Sequence, residues 1–202
     1  MNLQESIRND LNKINTINET EGGISGEEAR ELLIQGEYLE DSVSGDLNLN
    51  GTEVTSLPED MMVSGSLDIQ NTAISELPDY MEVGGDVFAN NGRISSIGAD
   101  IYIKGSLFLE DAKITELPDD LTIGEDLDLE GTKLTSLPND LRVPGNLSVR
   151  RTRITKLPDD LVVGGYIDVT NTPVLDKYQL PKNISKAQLR GENRTGNSRY
   201  DS

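Results

Sequence analysis

The stretch GTKLTSLPNDLRVPGNLSV at residues 131–149 returns as RTRITKLPDDLVVGGYIDV at residues 151–169. The two copies lie twenty residues apart, and the same pattern recurs between Gly45 and Pro181. A glycine marks the start of most copies, with Glu125 in the one remaining slot: Gly45, Gly65, Gly85, Gly105, Gly145 and Gly165. A fixed period of this length predicts a solenoid, in which each repeat buries its apolar face against the next.

We count the marker glycine of each copy as position 1. Apolar residues then occupy positions 3, 5, 10, 13, 17 and 19 of most copies. From position 17 to position 5 of the next copy they alternate with other residues, as in Leu161, Val163, Ile167 and Val169. This alternation predicts a strand with one face inward. The Leu-Pro pairs and acidic pairs of the other half predict turns or short 3₁₀ structure.

We therefore predict a repeat solenoid with one parallel β-strand per coil, turn or 3₁₀ returns and a small α-helical N-terminal cap. Residues 1–44 form the cap, with amphipathic helices at 3–16 and at Glu27–Gln35. Residues 45–181 form seven coils of twenty residues. Residues 182–202 are polar and are expected to form a flexible C-terminal tail.

The pattern L-x-L-x-x-T-x-I-T-S-L-P resembles a leucine-rich repeat with Thr in the Asn slot. Its short length and Leu-Pro pair are most similar to the repeats of bacterial effectors, and similar copies occur in bacteriophage proteins. The resemblance covers about residues 45–181. It implies a threonine column that turns inward, where the family's Asn bonds the backbone of the neighbouring coil: Thr52, Thr72, Thr132, Thr152 and Thr172. Related effector ubiquitin ligases use a catalytic Cys in a separate domain, and this chain has no Cys.

Composition narrows the possible functions of the chain. It has 36 acidic and 18 basic residues, a net charge of −18, and neither Cys nor His. Thiol catalysis, disulfides, the common zinc sites and an imidazole base are thereby excluded. An acidic body repels nucleic acid and anionic membranes. The N-terminal residues lack the apolar segment of a secretion signal, so we expect a cytoplasmic protein, in the host cytoplasm if the chain is phage-encoded.

Two charged columns follow the repeat. Acidic residues at positions 15 and 16 fit turn chemistry after proline, and cation binding by stacked carboxylates is the alternative: Glu59, Asp60, Asp79, Asp100, Asp119, Asp120, Asp140, Asp159 and Asp160. Basic residues share position 9: Arg93, Lys113, Lys133 and Arg153. An acid repeated in every coil is typical of a scaffold, so we predict no catalytic, cofactor or metal-binding residue.

The third and fourth copies depart from the pattern. Gly92 and Ala112 replace the threonine, and the outward position 4 holds Phe88 and Phe108, the only two Phe in the chain. Alternation places Tyr102 on the same outward face, and we expect its ring to contact the Phe rings. The predicted partner-binding site adds a ring of acids to these aromatics: Asp86, Glu110, Asp126, Asp128 and Glu130. Local packing repair is the alternative role for the aromatics.

These residues favour a non-enzymatic module that binds or inhibits a partner protein with a basic rim around an apolar centre. A phage-encoded inhibitor of a host factor or defence protein fits this description by resemblance. The main alternative is an acidic mimic of nucleic acid that blocks a DNA- or RNA-binding protein. A carboxylate enzyme and an adhesin or tail component are further alternatives, each without a supporting motif.

Overall fold

The described part of the structure, a computed structural model, covers residues 23–37, 39, 42–174, 181–182, 184–185 and 188–191. The helix predicted at residues 3–16 and the end of the tail lie outside the described residues. The helix predicted at Glu27–Gln35 is confirmed at Gly26–Ile34.

The described strands pair in parallel and stack along one axis. The first sheet, sheet I, contains Ile24–Ser25, Val43–Ser44, Met62–Val63, Glu82–Val83, Tyr102–Ile103 and Thr122–Ile123. The second, sheet II, contains Leu47–Asn48, Leu67–Asp68, Val87–Phe88, Leu107–Phe108, Leu127–Asp128, Leu147–Ser148, Ile167–Asp168 and Leu189–Arg190. Two further strand pairs are Arg142–Val143 with Val162–Val163 and Glu76–Leu77 with Ser96–Ile97.

The strand register follows the twenty-residue period. Leu107 pairs with Leu127, and Phe108 with Asp128. The predicted repeat solenoid is thereby confirmed as a parallel β-solenoid with little helix. The extended run of each coil is bent at the marker glycine, which divides it into one segment in sheet I and one in sheet II. Residue alternation continues through this bend and therefore did not reveal it.

Sheet I is interrupted at one proline. Gly124 N donates to Ile103 O at 2.8 Å, and Gly164 N donates to Val143 O at 2.9 Å. The equivalent residue of the coil between them is Pro144, which has no N–H to donate to the preceding strand. The pair Arg142–Val143 with Val162–Val163 therefore stands as a separate ladder. A hydrogen bond from Gly145 N to Glu125 O, 3.0 Å long, preserves the register across the break.

The core is a stack of aliphatic layers, one from each coil. Side chains at positions 3 and 5 are fully buried along the solenoid, as Leu107 and Leu109 show. Thr132 is also buried, and its Oγ1 donates to Leu129 O at 2.8 Å. The inward threonine column is thus confirmed. Its hydroxyls bond the backbone of their own coil, three residues earlier, and not that of the neighbouring coil.

A polar ladder runs beside the marker glycines at position 2. Each side chain accepts a hydrogen bond from the position-2 backbone N–H of the next coil. Asp46 Oδ1 accepts from Ser66 N at 2.7 Å, Ser66 Oγ from Asp86 N at 3.1 Å, Asp86 Oδ1 from Ser106 N at 2.7 Å, Ser106 Oγ from Asp126 N at 3.3 Å, Asp126 Oδ1 from Asn146 N at 2.6 Å, and Asn146 Oδ1 from Tyr166 N at 3.1 Å.

The ladder explains the column of marker glycines. A Cβ on Gly105 would overlap Asp86 Oδ1 and lie 2.7 Å from backbone atoms of Gly85. The same crowding occurs at Gly65, Gly145 and Gly165. Where the marker is Glu125, the ladder side chain below it is the short Ser106, and its hydrogen bond is the longest of the ladder.

The helix Gly26–Ile34 covers the N-terminal end of the solenoid. Ser25 caps it, because Ser25 Oγ accepts from Glu28 N at 3.2 Å. Ala29 is fully buried, and a side chain at Gly26 would overlap the carbonyl oxygen of Asp46. The helix therefore seals an apolar layer that an open solenoid end would expose.

Part of the predicted tail forms the last strand of sheet II. Leu189–Arg190 pairs with Ile167–Asp168, with twenty-two residues between partners instead of twenty. Gln188 Nε2 donates to Val163 O at 3.0 Å, and the Arg190 guanidinium lies 3.9 Å from the centroid of the Tyr166 ring. The described part of the tail therefore adds the last strand of sheet II, and at this step the Tyr166 ring at position 2 packs against Arg190.

We predict that Gly105→Ala lowers the free energy of unfolding by about 1–3 kcal/mol, the usual cost of overpacking. The added Cβ meets the backbone of Gly85, which cannot move without disturbing the ladder. Glu125→Ala is the matched control, since this position already carries a side chain, and we expect a change within about 0.5 kcal/mol. Urea unfolding of both variants measures the difference, and equal stabilities would contradict the steric explanation.

Candidate functional site

The two phenylalanines at position 4 form one stacked pair on the outer side of sheet II. Phe88 and Phe108 are direct partners in adjacent parallel strands. Their ring centroids are 5.2 Å apart and their planes differ by 5°. The separation is close to the strand spacing of about 4.8 Å, so the sheet register itself imposes the stacking. Both side chains are half-buried.

Other coils use position 4 to stabilise the following turn. Asp68 Oδ1 accepts from Gln70 N at 3.0 Å, and Asp128 Oδ1 accepts from Glu130 N at 2.9 Å. A phenylalanine cannot accept this bond. In the Phe108 coil the acceptor is instead Asn90 of the preceding coil, whose Oδ1 lies 3.0 Å from Glu110 N. The aromatic pair thus displaces a repeated structural interaction.

Two of the predicted surface acids belong to the polar ladder. Asp86 and Asp126 use Oδ1 to accept backbone N–H groups of the next coil. Asp126 also accepts from Asn146 Nδ2, at 3.1 Å to Oδ1 and 3.3 Å to Oδ2. Their column borders the phenylalanine pair, as predicted, but their first role is to hold the coils in register. Their alternation with Ser at a twenty-residue step was a signal that sequence reasoning could have used.

The predicted acids on the other side of the pair are in ion pairs. Glu130 Oε1 lies 2.9 Å from Arg151 Nε, and Glu130 Oε2 lies 3.5 Å from Arg150 Nη1. Glu110 Oε1 lies 3.6 Å from Arg151 Nη2. Arginines from a later coil therefore partly neutralise Glu110 and Glu130, which distinguishes them from the other acids of the predicted ring.

Arg151 is the centre of this ion-pair cluster. Its Nη2 also reaches Asp111 Oδ1, two coils away, at 3.3 Å. Gly131 in the intervening coil leaves the path open, because a Cβ there would overlap Asp111 Oδ1. The negative charge of Asp111 raises the pKa of Arg151, and hydrogen bonds to Glu130 add to this effect. Arg151, Glu110 and Asp111 are solvent-exposed, so water and salt screen their pairs strongly, whereas the side chain of Glu130 is only 15% exposed.

Arg151 also has an unusual backbone. Its φ is 55°, in the left-handed region that side chains other than Gly, Asn and Asp seldom adopt. The equivalent residues of the other coils are mostly of those favourable types: Gly51, Asn71, Asn91, Asp111, Gly131 and Asn171. An arginine at this position therefore adopts an unfavourable backbone conformation, and its side chain makes ion pairs with acids of other coils. Arg150 and Arg151 were visible in the sequence, but sequence reasoning assigned them no role.

Tyr102 does not join the phenylalanine pair. It lies in sheet I, where it pairs with Glu82 and Thr122. Lys104 and Gly105 separate it from Phe108, and the bend at the marker glycine places the two rings in different sheets. The expectation that the rings are in contact is corrected, because the chain turns between the two residues.

The charged columns at positions 9, 15 and 16 face solvent. Arg93, Lys113, Lys133 and Arg153 are all exposed. Asp79 Oδ1 accepts from Ala99 N of the next coil at 2.8 Å, so this acid bonds between coils and not within its own turn. Within the described ranges, no three acidic side chains converge into a group that could hold a metal ion.

Comparison with protein-family models, curated proteins and solved structures finds no match for this chain. The parallel β-solenoid is thus established by strand pairing within the chain and not by a relative. In the described part of the chain, no helix has the length and apolar character needed to cross a bilayer.

We predict that Asp126→Ala lowers the free energy of unfolding by about 1–2 kcal/mol, because Asn146 N loses its acceptor. Asp126→Asn keeps a side-chain oxygen, and Asn146 already performs the same task for Tyr166 N. We expect this control to remain within about 0.5 kcal/mol of the wild type. Thermal and urea unfolding give the comparison. Equal destabilisation by both variants would indicate that charge matters and the acceptor does not.

Proposed function

We propose that this protein is a non-enzymatic binding module that recognises a partner protein through the outer face of sheet II, centred on Phe88 and Phe108. The observation that carries the proposal is the stacked aromatic pair at a position where neighbouring coils place turn-stabilising aspartates. Buried aromatic anchors supply much of the binding energy at protein interfaces.

The fold does not require these two side chains. The core is built from positions whose residues are fully buried, such as Val87, Leu107 and Leu109. Position 4 points away from that core in every coil of sheet II. Because the rings stack face to face, their edges form an apolar ridge two strands wide. A partner's apolar side chain can pack on this ridge and exclude water from it.

Charge on one side of the ridge favours a basic partner. Asp68 and Asp128 flank the pair in the same column, each about 4.8 Å from its aromatic neighbour along the solenoid. Asp86 and Asp126 border it at position 2, where each accepts a backbone N–H group. Lysine or arginine side chains around an apolar centre complement this arrangement.

The ion-pair cluster makes the two sides of the phenylalanine pair differ in charge. Glu110 and Glu130 lie at position 6, on the opposite side from Asp86 and Asp126, and both contact Arg151. Their charges are partly neutralised, so they attract a basic group less strongly than the position-2 side. We therefore expect the basic groups of the partner to contact Asp86 and Asp126.

The proposal extends to the kind of protein. The inward threonines and the parallel, twenty-residue stacking support a relation to leucine-rich repeats. We propose a cytoplasmic inhibitor that acts by occupying a partner's surface, encoded by a bacteriophage and directed at a host factor or defence protein. This part of the proposal rests on the resemblance of the repeats.

We predict that the double variant Phe88→Asn/Phe108→Asn folds but loses its ligands. Asn48 already occupies this position and accepts from Asn50 N at 2.9 Å, so asparagine suits the turn. A peptide-display selection against the wild-type chain is expected to enrich sequences with an apolar or aromatic residue between Lys or Arg. Their affinity for the double variant should fall by about tenfold or more.

Tyr80→Ala is the matched control, because Tyr80 is an exposed aromatic outside sheet II. Selected peptides should bind this variant as they bind the wild type. Enriched peptides that bind the double variant equally well would contradict the proposal. Purely basic peptides whose binding disappears with salt would favour the nucleic-acid mimic instead.

A further inference from the structure

An outward column on sheet I and its continuation carries three of the five exposed large apolar side chains among the described residues. It contains position 18 of six successive coils: Met62, Glu82, Tyr102, Thr122, Arg142 and Val162. Met62 is 48% exposed, Tyr102 44% and Val162 41%. The exposure of these three side chains has no role in the core, and none of the three belongs to the surface of sheet II.

The chemistry of this column is self-complementary when one copy is reversed. Read in either direction, the ends are apolar (Met62 and Val162), and the next residues have opposite charge (Glu82 and Arg142). Tyr102 and Thr122 occupy the centre. The strand register keeps successive members about 4.8 Å apart, which gives a column about 24 Å long. The register also holds across Pro144, through the bond from Gly145 N to Glu125 O.

We propose that a second copy of this chain packs on this column with its solenoid axis antiparallel, around a two-fold axis between Tyr102 and Thr122. Met62 of each copy then meets Val162 of the other, Glu82 meets Arg142, and Tyr102 meets Thr122. Two-fold symmetry makes every one of these contacts twice, as an isologous interface requires.

The charged pair is the main argument for this occupant. Glu82 and Arg142 lie three strands apart in one chain, about 14 Å, and cannot pair with each other internally. Neither makes an ion pair with any other described residue. Two reversed copies bring each charge opposite its complement. Two parallel copies would place Glu82 against Glu82 and Arg142 against Arg142, which is unfavourable.

The neighbouring outward position permits close approach. Gly84, Gly124 and Gly164 alternate there with residues that carry side chains. The three glycines leave room for the apolar ends and the charged pairs to come into contact, and Lys104 is the one long side chain among the other residues of this position, Ser64, Lys104 and Pro144. Position 16, on the other side, is largely aspartate, and each copy carries a net charge of −18. Repulsion between the acidic bodies therefore opposes association.

The dimer is accordingly weak and reversible. A column 24 Å long covers less than the roughly 800 Å² per partner of a standard stable interface. We expect a dissociation constant above about 1 μM. The interface lies on sheet I and on the strand pair that contains Arg142 and Val162. It leaves Phe88 and Phe108 on sheet II free, so it does not depend on the proposed function.

Sedimentation equilibrium of the purified full chain over a concentration series tests the proposal. We expect a monomer–dimer equilibrium in the wild type. Glu82→Arg alone and Arg142→Glu alone should each raise the dissociation constant by about tenfold or more, because each puts like charges in contact. The double variant Glu82→Arg/Arg142→Glu should restore dimerisation, since every pair is then reversed and complementary.

Arg153→Glu is the matched control, because it makes the same charge change at an exposed position outside the column. It should leave the dissociation constant within about twofold of the wild type when salt is fixed. A wild-type chain that stays monomeric at about 1 mM would overturn the proposal. So would a dimer that tolerates both single reversals, or a double variant that folds, as judged by circular dichroism, but remains monomeric.

Discussion

The structure depends on hydrogen bonds that pass from each coil to the next, at a twenty-residue step between the terminal strands. Backbone strands supply them on both sides of the bend, and the side chains at position 2 supply them near the bend itself. A buried or half-buried N–H without a partner is costly. The ladder therefore uses a short acceptor side chain in nearly every coil, and a glycine lies next to the acceptor in the following coil at every step except Glu125.

This constraint separates the residues that serve the fold from those that are free to serve binding. Asp86 and Asp126 are surface acids, but their removal would leave backbone groups of the next coil unpaired. Phe88 and Phe108 accept no backbone N–H group, and they replace the aspartates whose side chains stabilise the following turn in neighbouring coils. The charges on the surface are also unevenly balanced, because Arg151 joins acids from two other coils into one cluster that spans three coils. The acidic surface is thus less uniform than the net charge indicates.

Sequence reasoning correctly predicted the solenoid, the inward columns, the helix Gly26–Ile34 and the outward aromatic pair. It was wrong about Tyr102, because alternation continues through Lys104 and Gly105 while the backbone turns there. It placed acids around the pair without distinguishing their contacts, whereas Glu130 pairs with two arginines and Asp126 accepts a backbone bond. Each of these misses concerns a contact between coils, which a pattern within one coil does not describe.

The sequence by itself determined the period, the stacking direction and the identity of the buried columns, since burial and alternation repeat in every coil. Only the tertiary structure decided which surface residues meet. It placed a bend between two sheets and ended sheet I before Pro144. It also showed that the threonine hydroxyls donate to backbone carbonyls of their own coil. The physical reason is that a contact such as Asp111 with Arg151 depends on the angle and spacing of stacked coils, and not on neighbours along the chain.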